Sequence, residues 1–150
     1  MTVLPDFPWT GREKEEERMK TLVVEDDFTS RLLLQEILKD FGTVHIAVNG
    51  VEAVEAMSEA LRTGQPYDLV CLDIMMPEMD GHEALKKIRE LEKEAGVLPN
   101  DEVKVVMTTA LGDPKNVFEA YYRGGATSYV VKPIHKRELL DRLRALQLVE

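Results

Sequence analysis

The amino-acid sequence predicts a doubly wound α/β fold, a five-stranded parallel sheet flanked by five helices. Three observations predict it. Short apolar runs alternate five times with stretches of helical periodicity between Lys20 and Leu148. Four of the five runs end on carboxylates, hydroxyls or a lysine, so that the polar groups gather on one rim of a parallel sheet. At 150 residues the chain has the length of one domain with a real core.

Each element has its own signal. Thr21 to Val24 (TLVV) is a β-branched run. RLLLQEILKDF, Arg31 to Phe41, carries apolar residues at 32, 33, 34, 37, 38 and 41, the broad stripe of an amphipathic helix, closed by Gly42. TVHIAV sets Val44, Ile46 and Val48 at period two, and Asn49 followed by Glu52 resembles a capping box that opens a helix to about Leu61. LVCL, Leu69 to Leu72, is the third strand, and Gly81 to Leu91 the third helix, with Ala84, Leu85, Ile88 and Leu91 on its inner face. Val103 to Met107 is the fourth strand. Asp113 and Pro114 supply an N-cap and an N1 proline to a fourth helix, which runs to about Arg123 and is ended by Gly124 and Gly125. Ser128 to Val131 is the fifth strand, and a last helix runs from about Lys136 to Leu146. Right-handed crossovers between such pairs put helices on both faces of the sheet.

Composition narrows the function classes. The 19 Lys and Arg against 28 Asp and Glu give a net charge of −9, which opposes attraction to nucleic acid and to anionic lipid. No apolar run reaches the ~18 residues of a membrane span, and MTVLPDFPWTGREKEEERMK lacks the apolar core of a signal peptide, so a cytoplasmic address is expected. The single Cys71 sits inside an apolar run and reads as a small buried hydrophobe. Residues 1 to 19 form an N-terminal extension, in which REKEEER reads as a charged leader and Phe7 and Trp9 are the groups able to order it by packing.

The strand ends carry the chemistry. The first strand ends in Glu25-Asp26-Asp27, the third in Asp73, the fourth in Thr108-Thr109-Ala110 and the fifth in Lys132-Pro133. Carboxylates converging at one cleft repel one another unless a cation lies between them, and oxygen-only ligands suit Mg²⁺. A metal there, with the ammonium of Lys132, would neutralise a phosphoryl group passing to a nearby carboxylate, and Asp73 is the nucleophile such a site offers. Thr109 is placed to donate its hydroxyl to a phosphoryl oxygen. Taken singly each residue has a plainer reading: Asp26 or Asp27 as a helix cap, Thr109 as partner to a backbone group, Lys132-Pro133 as loop. The conjunction favours the functional one.

The stretches LVVEDD, LVCLDIMMPEMDG, VVMTTA and YVVKP, in that order and at these spacings, resemble the receiver domain of two-component response regulators, the CheY-like family, over residues 20 to 148. The resemblance implies a (βα)5 flavodoxin-like fold with strand order 2-1-3-4-5. It also implies that Asp73 is the phosphoacceptor, Asp27 the direct Mg²⁺ ligand, Asp26 a ligand through water, and the Met75 backbone carbonyl the third protein ligand. Thr109 and Lys132 match the hydroxyl and lysine that grip the phosphoryl group, and Tyr129 the aromatic switch. The implied donor is a sensor histidine kinase or a histidine phosphotransfer protein. The implied output is a protein contact at the face of the fourth helix, fifth strand and fifth helix, a face that includes Tyr121, Tyr122 and Arg142 and would also serve a homodimer. The resemblance makes the chain a signalling phosphoacceptor rather than a turnover enzyme, and with two residues after Leu148 a stand-alone receiver. Apolar Met75 and Leu111, two residues beyond Asp73 and Thr109, are expected to hinder the hydrolytic water and prolong the signal.

Other classes compete with this reading. A flavin or nucleotide binder would want glycine in the loop EDDFTS, which has none. A haloacid-dehalogenase-type phosphatase would want an aspartate where Met75 stands. A receiver scaffold that binds partners without phosphorylation differs only in chemical competence. His45, His82 and His135 lack metal spacing and read as solvated residues.

Overall fold

In a computed structural model, which describes residues 18–110 and 125–150, the strands β1 (Met19–Val24), β2 (Gly42–Ala47), β3 (Leu69–Asp73), β4 (Lys104–Thr109) and β5 (Ser128–Val131) form one parallel sheet in the order β2-β1-β3-β4-β5. This is the expected fold class and strand order. Four helices lie among the described residues: α1 (Phe28–Leu38), α2 (Gly50–Arg62), α3 (Gly81–Glu94) and a C-terminal helix (Lys136–Ala145). The expected fourth helix, with Leu111, Tyr121 and Tyr122, lies outside the described residues, as does the extension with Phe7 and Trp9.

Two cores sandwich the sheet. On one face Ala53 and Met57 of α2 and Leu85 and Ile88 of α3 pack on Leu22, Val70, Leu72, Val105 and Met107. On the other, Leu34, Ile37 and Leu38 of α1 and Leu139 and Leu143 of the C-terminal helix pack on Val23, Leu69, Cys71, Val106 and Val130. Alternate residues of β1, β3 and β4 feed opposite cores, which is why these strands read as unbroken apolar runs. Cys71 is fully buried, and burial pushes its thiol up to about 12, in line with an inert hydrophobe.

The helix starts follow local chemistry. Asn49 Oδ1 accepts from Glu52 N at 2.8 Å, and the Glu52 carboxylate reaches back to Val48 N at 2.9 Å, one residue earlier than the usual capping box. α1 starts at Phe28, three residues before the expected Arg31, because Asp27 caps it. Its end tightens into a 3-10 turn, Lys39–Phe41, before Gly42. Gly42 is obligatory, since a Cβ there would stand 1.8 Å from the Met19 carbonyl oxygen across the β1–β2 pair. The strand period expected of Val44, Ile46 and Val48 is only partly used for burial. β2 is an edge strand: Val44 packs on the core, but Ile46 and Val48 are more than a third exposed. His45 is exposed at that edge, yet its Nδ1 lies 2.7 Å from the Tyr67 hydroxyl.

Candidate functional site

Parallel pairing puts every strand's carboxyl end on one rim, and β3 delivers Asp73 there as its last residue, 3% exposed. The chain beyond β3 is folded back onto the strand: Gly81 N donates to Ile74 O at 2.9 Å and Ile74 N to Thr108 O at 3.1 Å. A Cβ on Gly81 would meet the Asp73 carbonyl oxygen at 2.4 Å and Ile74 Cα at 2.8 Å. Asp80, just before it, caps α3 by accepting from Glu83 N at 3.0 Å. The segment MMPEMDG is thus a clamp on the backbone that carries Asp73. Within it Glu78 adopts φ of 69°, a left-handed conformation that disfavours any residue with a Cβ.

Lys132, directly after β5, reaches across this rim. Its Nζ lies 2.8 Å from Glu25 Oε1 and 3.4 Å from Asp73 Oδ2. Its backbone N–H donates to Thr109 O at 2.7 Å, so the β4–β5 ladder fixes where the side chain departs. The Lys132–Pro133 peptide is cis. Asp73 Oδ1 also accepts from Met75 N at 3.2 Å. Burial, reinforced by the neighbouring Glu25 carboxylate, pushes Asp73 up to about 7, while Lys132 and the Met75 N–H pull it down. Burial by itself would lower the Lys132 ammonium, but hydrogen bonds and charge from Glu25 and Asp73 outweigh it and hold the group above its ordinary value.

Glu25, Asp26 and Asp73 each bring one carboxylate oxygen to within 4.8 Å of the others. Three hard oxygen ligands with like charge fit a divalent cation such as Mg²⁺. Asp27, expected as the direct ligand, lies outside this trio. Its carboxylate accepts from Ser30 N at 2.8 Å as the N-cap of α1, a hydrogen bond that holds it below the usual carboxylate range, and its N–H is taken by Glu25 Oε2 at 3.1 Å. The acidic pair facing Asp73 is therefore Glu25 and Asp26, one position earlier than the expected Asp26 and Asp27. Glu25 is completely buried, and its part, like that of Gly81, emerges only in three dimensions. Three acids in a row offer no mark of which two face the cleft, and a glycine after aspartate reads simply as a helix start.

Thr109 is buried on β4 beside this cluster, its hydroxyl making one long contact of 3.5 Å to Ala110 O. Met75 is 63% exposed at the mouth of the same loop. Tyr129 is half-buried on β5, packs against the core shared with α2 and α3, and carries the Arg142 guanidinium 5.2 Å from its ring centre. The arrangement offers a nucleophilic carboxylate, a cation, a hydroxyl and an oxygen-rich metal position on one open rim, the parts that phosphoryl transfer needs.

Comparison with known proteins gives one answer. The profile of the response regulator receiver domain matches residues 21–144. The chemotaxis protein CheY of Listeria monocytogenes is 38% identical over 127 residues, covering 83% of this chain and 95% of that protein. Among solved structures, the receiver domain of the Arabidopsis thaliana histidine kinase CKI1, complexed with Mg²⁺ and BeF3⁻, is 28% identical with a TM-score of 0.72, covering 89% of this chain and 95% of that one. CheY in a CheX–CheY–BeF3–Mg²⁺ complex from Borrelia burgdorferi is 29% identical with a TM-score of 0.73, covering 88% and 90%.

Proposed function

The chain belongs to the response regulator receiver domain family, and on that premise we propose that it is a two-component signalling protein whose Asp73 accepts a phosphoryl group from a phosphohistidine. The observation that carries this reading is the Lys132 ammonium, set between the buried Glu25 and Asp73 carboxylates at 2.8 and 3.4 Å on the open rim of the sheet. An oxygen of Asp73 attacks phosphorus; a P–O bond forms, the P–N bond to the donor imidazole breaks, and its electron pair leaves on that nitrogen. Asp73 becomes an acyl phosphate. Lys132 leans toward the transferred oxygens and offsets their charge, and the Thr109 hydroxyl turns from its long contact to donate to one of them. Glu25, Asp26 and Asp73, with the Met75 carbonyl, are the groups to hold Mg²⁺, and the bound ion would supply the positive charge that lets an anionic donor approach this cleft.

The donor is a sensor histidine kinase or a histidine phosphotransfer protein. Recruitment of Thr109 to the phosphoryl group opens room toward Tyr129, whose ring turns inward and changes the surface of β5 and the C-terminal helix, where a downstream protein docks. Two relatives carry BeF3⁻ with Mg²⁺, a pairing that mimics a phosphoryl group on a carboxylate. Intact mass after incubation with acetyl phosphate and Mg²⁺ tests the proposal. One phosphoryl adduct is expected, absent with chelator and absent in Asp73→Asn. Folded, Mg²⁺-binding protein that gains no adduct would instead be a receiver scaffold.

A further inference from the structure

The residues before Arg18 include Phe7 and Trp9 between and after two prolines, Pro5 and Pro8, followed by the polar run REKEEER. β1 starts at Met19 on the amino rim of the sheet, opposite the rim of Asp73. There Lys20 N donates to Asp68 Oδ2 at 2.8 Å, and Lys20 Nζ to Gln65 O at 2.6 Å. Pro66 and Tyr67, which lie between those two partners, also line an apolar pocket of about 460 Å³ between the carboxyl ends of α2 and α3. Met57, Leu61 and Val97 contribute to its lining, and so does Leu98, which is 66% exposed. Asp101 adds a carboxylate. An exposed large apolar residue beside an apolar pocket is surface that water does not favour.

We propose that this pocket receives Trp9 of the same chain, with REKEEER as the polar tether to β1. The described chain starts on the same rim, and Lys20 there sets its Nζ 4.5 Å from the centre of the Tyr67 ring, which lines the pocket. Nine residues from Trp9 to Arg18 span up to ~30 Å when extended, ample for a site on the rim where β1 starts. The indole is the largest apolar group in that segment and buries about 150–250 Å² when enclosed, and its N–H, which wants an acceptor once buried, meets one in Asp101. The pocket lies away from Asp73, so the seated segment leaves the acidic cleft open.

Trp9 is the one tryptophan of the chain, so its fluorescence reports on it alone. In the full chain, emission shifted to the blue and acrylamide quenching several-fold weaker than for N-acetyltryptophanamide are expected, independent of protein concentration. Leu98→Asp should return both to the free values, while Leu32→Asp, on an exposed position of α1, should leave them unchanged. Both leucines are exposed, so far-UV circular dichroism should show intact folds. Quenching equal to the free indole in the unsubstituted chain would overturn the proposal. So would shielding that fades on dilution, which would place the segment on a second copy, and so would shielding that Leu98→Asp leaves in place, which would put Trp9 on another face.

Discussion

At the scale of single residues, Glu25 and Asp73 share one ammonium, so a negative charge remains uncompensated in a buried place whenever both are ionised. Asp73 holds its proton up to about pH 7, against 3.8 for the ordinary side chain. A group whose folded-state pKa is raised gives stability that is complete below the unfolded pKa and lost as pH rises through the folded one. In chelator, Asp73→Asn is therefore expected to melt at the wild-type temperature near about pH 4 and above it near about pH 8, by thermal denaturation at both. Glu78 is a second case. Its left-handed φ of 69° strains any residue with a Cβ, so Glu78→Gly should stabilise by up to ~1 kcal/mol in urea unfolding, the relief exceeding the added chain entropy. Exposed Met75 stands two residues beyond Asp73. Met75→Asn should shorten the lifetime of the acyl phosphate, followed by loss of the mass adduct; an unchanged lifetime would remove Met75 from that role.

Among the elements, α3 is held at both ends. At its start Gly81 lies against the Asp73 and Ile74 backbone, so Gly81→Ala should cost about 1–3 kcal/mol of stability by overpacking and slow phosphorylation by moving Asp73; chemical denaturation and the adduct rate measure the two. Toward its other end Glu92 is buried, accepts from Val103 N at 2.6 Å and pairs with Arg89 at 2.7 Å, while Arg89 also donates to the Val103 and Gly125 carbonyls. This network ties α3 to the segments that lead into β4 and β5. Arg89→Ala strands a buried carboxylate and should destabilise by roughly 3–5 kcal/mol. The apolar face of α3 was legible from its 3.6-residue period. Neither the buried Glu92 nor its partner was, because a Glu three residues after an Arg reads as a solvated helix pair until the fold closes over it.

For the whole molecule, a cation that binds the folded carboxylate trio and not the unfolded chain raises stability with its concentration. Mg²⁺ should raise the melting temperature of the wild-type chain, with little effect on Asp26→Asn and with the effect kept in Asp27→Asn, whose side chain caps α1. A loss of the Mg²⁺ effect in Asp27→Asn would return Asp27 to the metal. The sequence by itself determined the parallel α/β layering, the order of the elements and the presence of Asp73, Thr109 and Lys132 at strand ends, because burial on two faces and capping leave local, periodic marks. Tertiary structure alone decided that Glu25 rather than Asp27 turns toward Asp73, that Gly81 touches the strand bearing it, and that an apolar pocket opens between the carboxyl ends of α2 and α3. These depend on where separate segments meet in space, and residues 25, 73 and 132 become neighbours only when β1, β3 and β5 have taken their places in one sheet.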